Sequence, residues 1–398
     1  MTEKKNDTTV GASIKSFITA IVVIFIMMIL TYGLTFLVPG GGIPFWKWAF
    51  SPILVLFAED HDSLIAIILL LVVLGGTFNS LDKFGVLRLL LNKITDKFGK
   101  SKKMLLAVIP LFFMILGSVA GTFEECVPLV PVVVALSLRL GWDALTGLGM
   151  SILAAGCGFA AGVCNPFTVG VAQELVGLPM FSGMWLRIVN FILTYIFLLL
   201  FLWFHVRSLE KTKEPVFISG KEISQNKKEY YLDSKWKKLI KTFGQGVISV
   251  LPGVLLILMA NSIRFTLLEG NILDTLLEGA IAIAAGLPRW SVILFIYALV
   301  LGMNFFIPSG SAKAFLLMPL IVPTAQAFDI SAQLCILAFA FGDGFSNVFY
   351  PTNPVLLISL GLANVSYGEW VKWSSKFQLG NLILTSVLLI LGLMIGYC

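Results

Sequence analysis

The sequence predicts an all-α polytopic membrane protein made of two inverted structural repeats, each with a re-entrant hairpin and a discontinuous helix. Three observations lead to this fold class: an apolar composition, long apolar runs and internal repetition. Of the 398 residues, 58% are hydrophobic and 13% are charged, whereas a soluble domain carries roughly 25% charged residues. The mean hydropathy of +0.94 therefore indicates that lipid is the surrounding solvent.

Apolar runs suited to crossing a bilayer, which takes on the order of 20 residues each, recur along the chain. Because they are continuously apolar, they lack the alternating polarity of outer-membrane barrel strands. They lie at residues 17–38, 64–81, 191–204, 247–263 and 379–397.

The basic residues behind the net charge of +6 lie between apolar segments, so we expect them to orient helices and not to bind nucleic acid. The positive-inside rule places residues 83–103 and 207–241 in the cytoplasm and the acidic residues 59–62 on the opposite side. Lys4 and Lys5 precede an uncleaved first helix, which places the N-terminus in the cytoplasm. The predicted location is the bacterial inner membrane, with the lipid bilayer as a partner.

Short motifs recur between the two halves of the chain. Residues 156–159 (Gly-Cys-Gly-Phe) match residues 342–345 (Gly-Asp-Gly-Phe), and residues 183–185 match residues 368–370. Both offsets are about 186 residues, and such a steady offset indicates duplication. The predicted units are a tail and unpaired first helix at 1–58, a first repeat at 59–206, a basic cytoplasmic linker at 207–241 and a second repeat at 242–398.

Two pairs of apolar segments are shorter than a crossing requires, and each pair surrounds a small polar turn. The first pair, residues 103–117 and 125–140, predicts one re-entrant hairpin. The second pair, residues 291–307 and 313–328, surrounds Pro308-Ser309-Gly310-Ser311 and predicts the other. If the hairpins do not cross, each repeat has an odd number of spans, so the second repeat is inverted and both tips meet near the midplane.

Ionisable residues follow both hairpin tips, where an intramembrane charge is a functional candidate. Glu124 and Glu125 would suit an amine, a sodium ion or a proton; the alternative is an interfacial helix start, where carboxylates suit the dipole. Lys313 lies where a half-helix begins and would attract a carboxylate; the alternative is a snorkelling lysine at a helix end. Acids on one side and a lysine on the other predict a zwitterionic or mixed-charge solute.

Two apolar helices are interrupted, at residues 156–166 and 342–354, by glycine, asparagine and proline. Proline frees backbone carbonyls, and irregular backbone at membrane depth is tolerated where it lines a cavity or is buried in protein. The alternative, a glycine-rich packing seam, does not explain the Asn-Pro and Pro-Thr breaks. The interruptions therefore predict oxygen ligands for a solute or a cation.

The predicted site gathers these turns, breaks and charges into one set. Its solute- and ion-binding residues are Gly121, Thr122, Glu124, Glu125, Asn165, Pro166, Ser309, Gly310, Ser311, Lys313, Asp343, Asn347, Pro351 and Thr352. A coupling Na⁺ is expected near Thr122, Asn165, Asn347 and Thr352. We expect no cofactor besides a Na⁺ or H⁺ coupling ion, because the five cysteines have no metal-ligand spacing.

Four motifs of this sequence resemble the ion transporter superfamily, and within it the family of four-carbon dicarboxylate anaerobic carriers and basic amino acid antiporters. The motifs lie at residues 121–125, 165–167, 307–313 and 341–352. The resemblance implies a hairpin at each pseudo-symmetric position, with solute and ion near the tips and the broken helices. It also implies a homodimer and an elevator motion.

The predicted function is secondary active transport of a small charged metabolite, an amino acid and in particular a basic one, by ion coupling or exchange. The alternative solute is a four-carbon dicarboxylate. No GxxxxGK[ST] motif is present, so ATP does not drive transport directly. A channel is a rival because broken helices also line pores. An intramembrane protease is a weaker rival, because Asp343 has no second aspartate within an apolar span; we therefore expect no enzyme.

Overall fold

The computed structural model describes residues 14–37, 42–58, 101–121, 123–212, 235–272 and 286–398, with scattered positions between 64 and 84 and between 275 and 283. Across these residues every regular element is a helix and none is a strand, so the all-α prediction is confirmed. The acidic residues 59–62 and most of the linker, residues 213–234, lie outside the described part of the chain.

The described helices are numbered here in chain order. The first half contains α1 (Ile14–Thr35), α2 (Phe45–Ala49), α3 (Ser51–Leu54), α4 (Lys102–Ile115), α5 (Val130–Arg139), α6 (Ala144–Leu148), α7 (Ala154–Ala161), α8 (Val171–Leu175) and α9 (Met184–Thr212). The second half contains α10 (Lys235–Glu269), α11 (Arg289–Phe306), α12 (Gly310–Gln326), α13 (Ala332–Asn347), α14 (Pro354–Leu362) and α15 (Tyr367–Met394). Single π turns at Leu116–Ala120, Gly149–Leu153 and Pro166–Gly170 and 3-10 turns at Val55–Phe57 and Glu124–Leu129 join some of them.

Five segments of the described chain are long and apolar enough to cross a membrane, as a multi-pass protein requires. They are Lys102–Ala120, Ala144–Leu175, Met184–Lys211, Arg289–Phe306 and Tyr367–Met394. Two of them, Lys102–Ala120 and Arg289–Phe306, are the first arms of the predicted hairpins. In the structure the first arm is longer than the predicted residues 103–117, and the second begins before the predicted residues 291–307. The re-entrant path of both hairpins stays a prediction.

The outer face of α9 has the composition expected of a lipid contact. Ile192, Ile196, Leu200 and Phe204 recur every four residues and are all exposed, which places them on one stripe of the helix. Asn190 is buried. Because apolar side chains cover the exposed face and the amide lies inside, α9 is oriented for a bilayer and not for water.

The hairpins pack against the broken helices in corresponding ways in the two halves. The first arms, α4 and α11, pack on α7 and α13 of their own halves. The second arms pack across the halves: α12 contacts the turn 166–170 and α8, while the turn 124–129 and α5 contact α14. Each hairpin is therefore held by the short helix that follows the break in the other half. The opposite orientation of the two repeats stays a prediction.

The broken helices α7 and α13 cross at a glycine. A Cβ atom added to Gly344 would lie 2.2 Å from the backbone Cα of Ala160, which is closer than any side chain tolerates. A Cβ at Gly158 would similarly lie 2.0 Å from the carbonyl oxygen of Met114. The glycines therefore form a close-packed seam, which was the alternative interpretation of the interrupted helices. The asparagines and prolines beside them form the breaks.

The first helix, α1, packs along α10. Trp48 of α2 donates its indole N–H to the Met28 carbonyl oxygen at 3.0 Å, and Lys47 pairs with Glu269 at 2.5 Å. These contacts hold α1 and α2 against the start of the second half.

We expect Gly344→Ala to destabilise the protein by about 1–3 kcal/mol, because the added methyl group overpacks a backbone crossing. Gly302→Ala in α11 is the matched control, since its Cβ would meet nothing within 4 Å and alanine is the better helix former. Thermal unfolding in detergent measures both. Equal melting temperatures for the two variants would contradict the close crossing.

Candidate functional site

A buried ion pair links the second hairpin to the broken helix α13. The side chains of Lys313 and Asp343 are both fully buried, and Nζ of Lys313 donates to Oδ1 of Asp343 at 2.7 Å. The same ammonium donates to the Ile307 carbonyl oxygen at 3.2 Å and to Oδ1 of Asn304. The positive charge that the sequence suggested for a solute carboxylate is therefore neutralised within the chain.

Asn304 of α11 connects this pair to the next turn of α13. Its Nδ2 group donates to the Asp343 carbonyl oxygen at 3.1 Å, to Oγ of Ser346 at 2.6 Å and to Oδ1 of Asn347 at 2.9 Å. Because three acceptors surround Nδ2, the amide has one orientation, and its Oδ1 faces Lys313. The arm of the hairpin is thereby bonded to α13 by a single buried amide.

The second break continues this hydrogen-bond chain. Oδ1 of Asn347 also accepts from Nδ2 of Asn353 at 3.0 Å, and Oδ1 of Asn353 caps α14 by accepting from Val355 N at 3.0 Å. Pro354 follows at the first helical position, where its missing N–H removes no bond. Buried amides therefore run without interruption from the start of α14 to Lys313.

The first break uses the same residue types. Oδ1 of Asn165 accepts from the N–H groups of Phe167 at 2.9 Å and of Thr168 at 3.3 Å, so it caps the turn that Pro166 begins. A Cβ added to Gly121 of the first hairpin tip would lie 2.4 Å from this Oδ1. Gly121 has a φ of 65°, a left-handed conformation that favours glycine. The hairpin tip and the break are therefore in direct contact.

A second contact joins the first tip to the same break. Oγ of Ser118 accepts from Val163 N at 3.1 Å, and its carbonyl oxygen accepts from Cys164 N at 3.0 Å. These bonds satisfy backbone donors that the break removes from the helix ladder, as a buried backbone requires.

The two halves meet at Gly310, the first residue of α12. A Cβ added there would lie 2.6 Å from Oδ2 of Asp343 and 2.6 Å from Cγ2 of Thr168. Both Oδ2 of Asp343 and Oγ1 of Thr168 are buried, and in the described part of the chain neither has a hydrogen-bond partner. Side chains from the first break and from α13 therefore both lie against one hairpin tip.

Glu124 and Glu125 lie in the first turn of the 3-10 helix at Glu124–Leu129, where the helix dipole favours carboxylates. Glu124 is half-buried and Glu125 is exposed. Among the described residues neither forms an ion pair. The first tip thus places two carboxyl groups at the start of this 3-10 helix.

The remaining predicted residues lie in the turns themselves. Ser309 is exposed and Ser311 is half-buried, at the start of α12. Pro351 and Thr352 are buried between α13 and α14, and Oγ1 of Thr352 has no partner among the described residues. Thr122 lies outside the described part of the chain, so the expected Na⁺ positions near it and near Asn165, Asn347 and Thr352 stay predictions.

Several polar residues of this network were not among the predicted site residues, and they include Asn304, Thr168 and Asn353, with Ser118 and Ser346 beside them. Asn304 is an isolated amide in the apolar helix α11, a few residues before the hairpin tip, and that isolation was the signal available in the sequence. Asn353 precedes Pro354 as Asn165 precedes Pro166, so the repeat itself could have identified it. Thr168 has no such signal, because its position beside Gly310 depends on the packing of the two halves.

His205 lies away from these residues. It pairs with Asp143 at 3.0 Å, and Asp143 caps α6 by accepting from Thr146 N at 2.8 Å. Burial alone would raise the pKa of the Asp143 carboxyl, but the hydrogen bonds from His205 and Thr146 outweigh burial and hold it below its ordinary value. The described residues contain no cluster of His, Cys, Asp and Glu that could hold a metal ion.

Hairpin tips that meet two broken helices, with buried polar groups converging on them, define the architecture of a membrane solute carrier. The profile of the C4-dicarboxylate anaerobic carrier family, DcuC, matches residues 57–238 and 231–394. These matches cover most of the chain, and the protein belongs to this family of transporters. The resemblance drawn from the sequence motifs is thereby confirmed.

Two bacterial proteins and one solved structure are similar to this chain. "Putative basic amino acid antiporter YfcC" of Escherichia coli K12 is 26% identical, across 85% of this chain and 79% of that protein. An uncharacterized protein of Haemophilus influenzae is 20% identical, across 83% of this chain and 76% of that protein. The crystal structure of the Alcanivorax borkumensis YdaH transporter, described as having an unusual topology, is 15% identical with a TM-score of 0.47, covering 95% of this chain and 99% of that one.

We expect Asp343→Asn to destabilise the protein by about 3–5 kcal/mol, because it leaves the buried charge of Lys313 without its counter-charge. The double variant Lys313→Met with Asp343→Asn removes both charges and should recover much of that loss. Thermal unfolding of the purified variants in detergent gives the comparison. A double variant as unstable as the sum of the single variants would show that the two charges are not coupled.

Proposed function

We propose that this transporter carries a small amino acid with a cationic side chain, by exchange or by coupling to an ion gradient. The observation that supports this solute class is the charge balance of the site. Lys313 is neutralised by Asp343, whereas Glu124 and Glu125 have no ion-pair partner among the described residues.

An excess of negative charge near a hairpin tip stabilises a cationic solute and repels a dianion. A carboxylate that is partly removed from solvent also favours a bound amine, since an unpaired buried charge is expensive. Glu124 is the better candidate to contact the solute, because it is half-buried while Glu125 is exposed. The name of the similar protein, "Putative basic amino acid antiporter YfcC", agrees with this solute class.

A four-carbon dicarboxylate is the second candidate solute. It is the solute in the family's description, and one feature of the structure favours it. A cavity of about 370 Å³ lies beside the second hairpin tip and is lined by Arg264 together with Ile307 and Ala312. A guanidinium is well suited to a carboxylate, so this cavity is where a dicarboxylate would find positive charge.

The other parts of the proposal concern placement and coupling. We place the protein in the bacterial inner membrane with the basic residues 83–103 in the cytoplasm, with its repeats inverted and two copies forming a homodimer. Transport is coupled to Na⁺, to H⁺ or to counter-solute, and the protein performs no chemical reaction on the solute. Saturable, counter-solute-stimulated flux distinguishes this carrier from a channel.

Proteoliposomes loaded with arginine or lysine should take up the labelled amino acid faster than empty ones. Glu124→Gln should lower this uptake at least about tenfold, because a lost charged contact of about 1.4 kcal/mol already gives that factor. Glu125→Gln is the matched control, since its exposed carboxylate is screened by solvent, and we expect a smaller loss.

The same liposomes loaded with succinate or fumarate test the second candidate. The amino acid proposal is wrong if three results are found together. Dicarboxylates exchange, Arg264→Gln reduces that exchange, and Glu124→Gln leaves it intact. Thermal shifts of the purified protein with each solute give an independent measurement, because a solute that binds the folded state alone raises its melting temperature.

A further inference from the structure

We propose that the ammonium of Lys313 occupies a monovalent-cation site as a covalently attached cation, and that removing this side chain opens the site to Na⁺. The site is formed by Oδ1 of Asn304, the carbonyl oxygen of Ile307 and the carboxylate of Asp343. These oxygens differ from those near which a coupling Na⁺ was expected from the sequence.

The number of donors and acceptors matches. A lysine ammonium has three N–H donors and no acceptor, and Lys313 donates to three oxygens from three residues. Its side chain is fully buried. Three oxygens therefore point at one position from which solvent is excluded, and one of them carries the negative charge that balances a single positive charge.

Two of the three oxygens, those of Asn304 and Ile307, are placed by structure that does not involve Lys313. Three acceptors around Nδ2 fix the amide of Asn304. Ile307 follows the last turn of α11, where the helix dipole is negative and attracts a cation. Asp343 lies within α13, which is buried along almost its whole length.

The chemistry of these ligands is that of a cation site in a transporter. Carboxylate, carbonyl and amide oxygens suit hard cations, and the carbonyls at half-helix ends hold Na⁺ in carriers with discontinuous helices. Here the ammonium already supplies the charge. In the native protein this position therefore needs no ion from solution, and any coupling ion must bind elsewhere.

Lys313→Ala tests the inference, because it removes the ammonium and leaves space beside the three oxygens. The purified variant is unfolded thermally in NaCl and in choline chloride at the same concentration, about 100 mM. We expect its melting temperature to be lower than that of the native protein in choline. Replacing choline by sodium should raise the melting temperature of Lys313→Ala by roughly 2–4 °C more than the same change raises the melting temperature of the native protein.

Two further variants separate an ion site from a structural ion pair. Lys313→Met removes the charge but fills the space, so its melting temperature should show no extra response to sodium. Lys313→Ala combined with Asp343→Asn keeps the space but removes the charged ligand, and should also lose the response. An equal sodium response in Lys313→Ala and Lys313→Met overturns the proposal.

A variant that fails to fold is also informative. Lys313→Ser is the second small substitution, and it adds a hydroxyl oxygen to the opened space. If neither the alanine nor the serine variant is recovered folded from sodium buffer, the proposal is wrong, since bound sodium should replace the lost charge.

Transport gives a second readout, which rests on the proposed function. Uptake by Lys313→Ala should require sodium on the side to which the site opens. The native protein should not share this additional sodium requirement, because its ammonium already fills the site. If the native protein transports none of the tested solutes, the proposed function fails and the melting experiment still decides whether the cation site exists.

Discussion

Two opposite charges, on Lys313 and Asp343, lie 2.7 Å apart with no exposure to solvent, and the polar centre of the protein is arranged around them. A buried charge is tolerated only when it is paired and its remaining donors are satisfied. Meeting that requirement fixes Asn304 on α11 and the carbonyl of Ile307 at the hairpin tip. The second hairpin is therefore tied to α13 by an electrostatic constraint in addition to apolar packing.

The breaks in α7 and α13 solve a related problem, that of backbone groups left unpaired away from water. Asn165 and Asn353 each precede a proline and each accept hydrogen bonds from the two following N–H groups. These caps let a helix stop and restart inside the protein without leaving donors unsatisfied. Since the short helix after each break holds the hairpin of the other half, any movement of a hairpin must be transmitted to a break.

The charge of the site follows from which residues are paired and not from which are present. Lys313 and Asp343 compensate each other, so Glu124 and Glu125 supply the carboxylates at the first hairpin, while Arg264 lines a cavity beside the second. Selection between a cationic amino acid and a dicarboxylate then depends on which tip the solute contacts. Both residue sets border hairpin tips, one in each half of the chain.

Local sequence determined the elements of this protein, because membrane helices, helix breaks and caps depend on runs of neighbouring residues. Apolar length predicted the long helices, and the Asn-Pro pairs predicted where α7 and α13 would be followed by new helices. Only the tertiary structure decided the pairing of Lys313 with Asp343, which are 30 residues apart, and the role of Asn304. A charge in the sequence indicates that a partner is needed, but which partner it meets depends on how helices from distant parts of the chain pack, and here that packing brought Lys313 against Asp343.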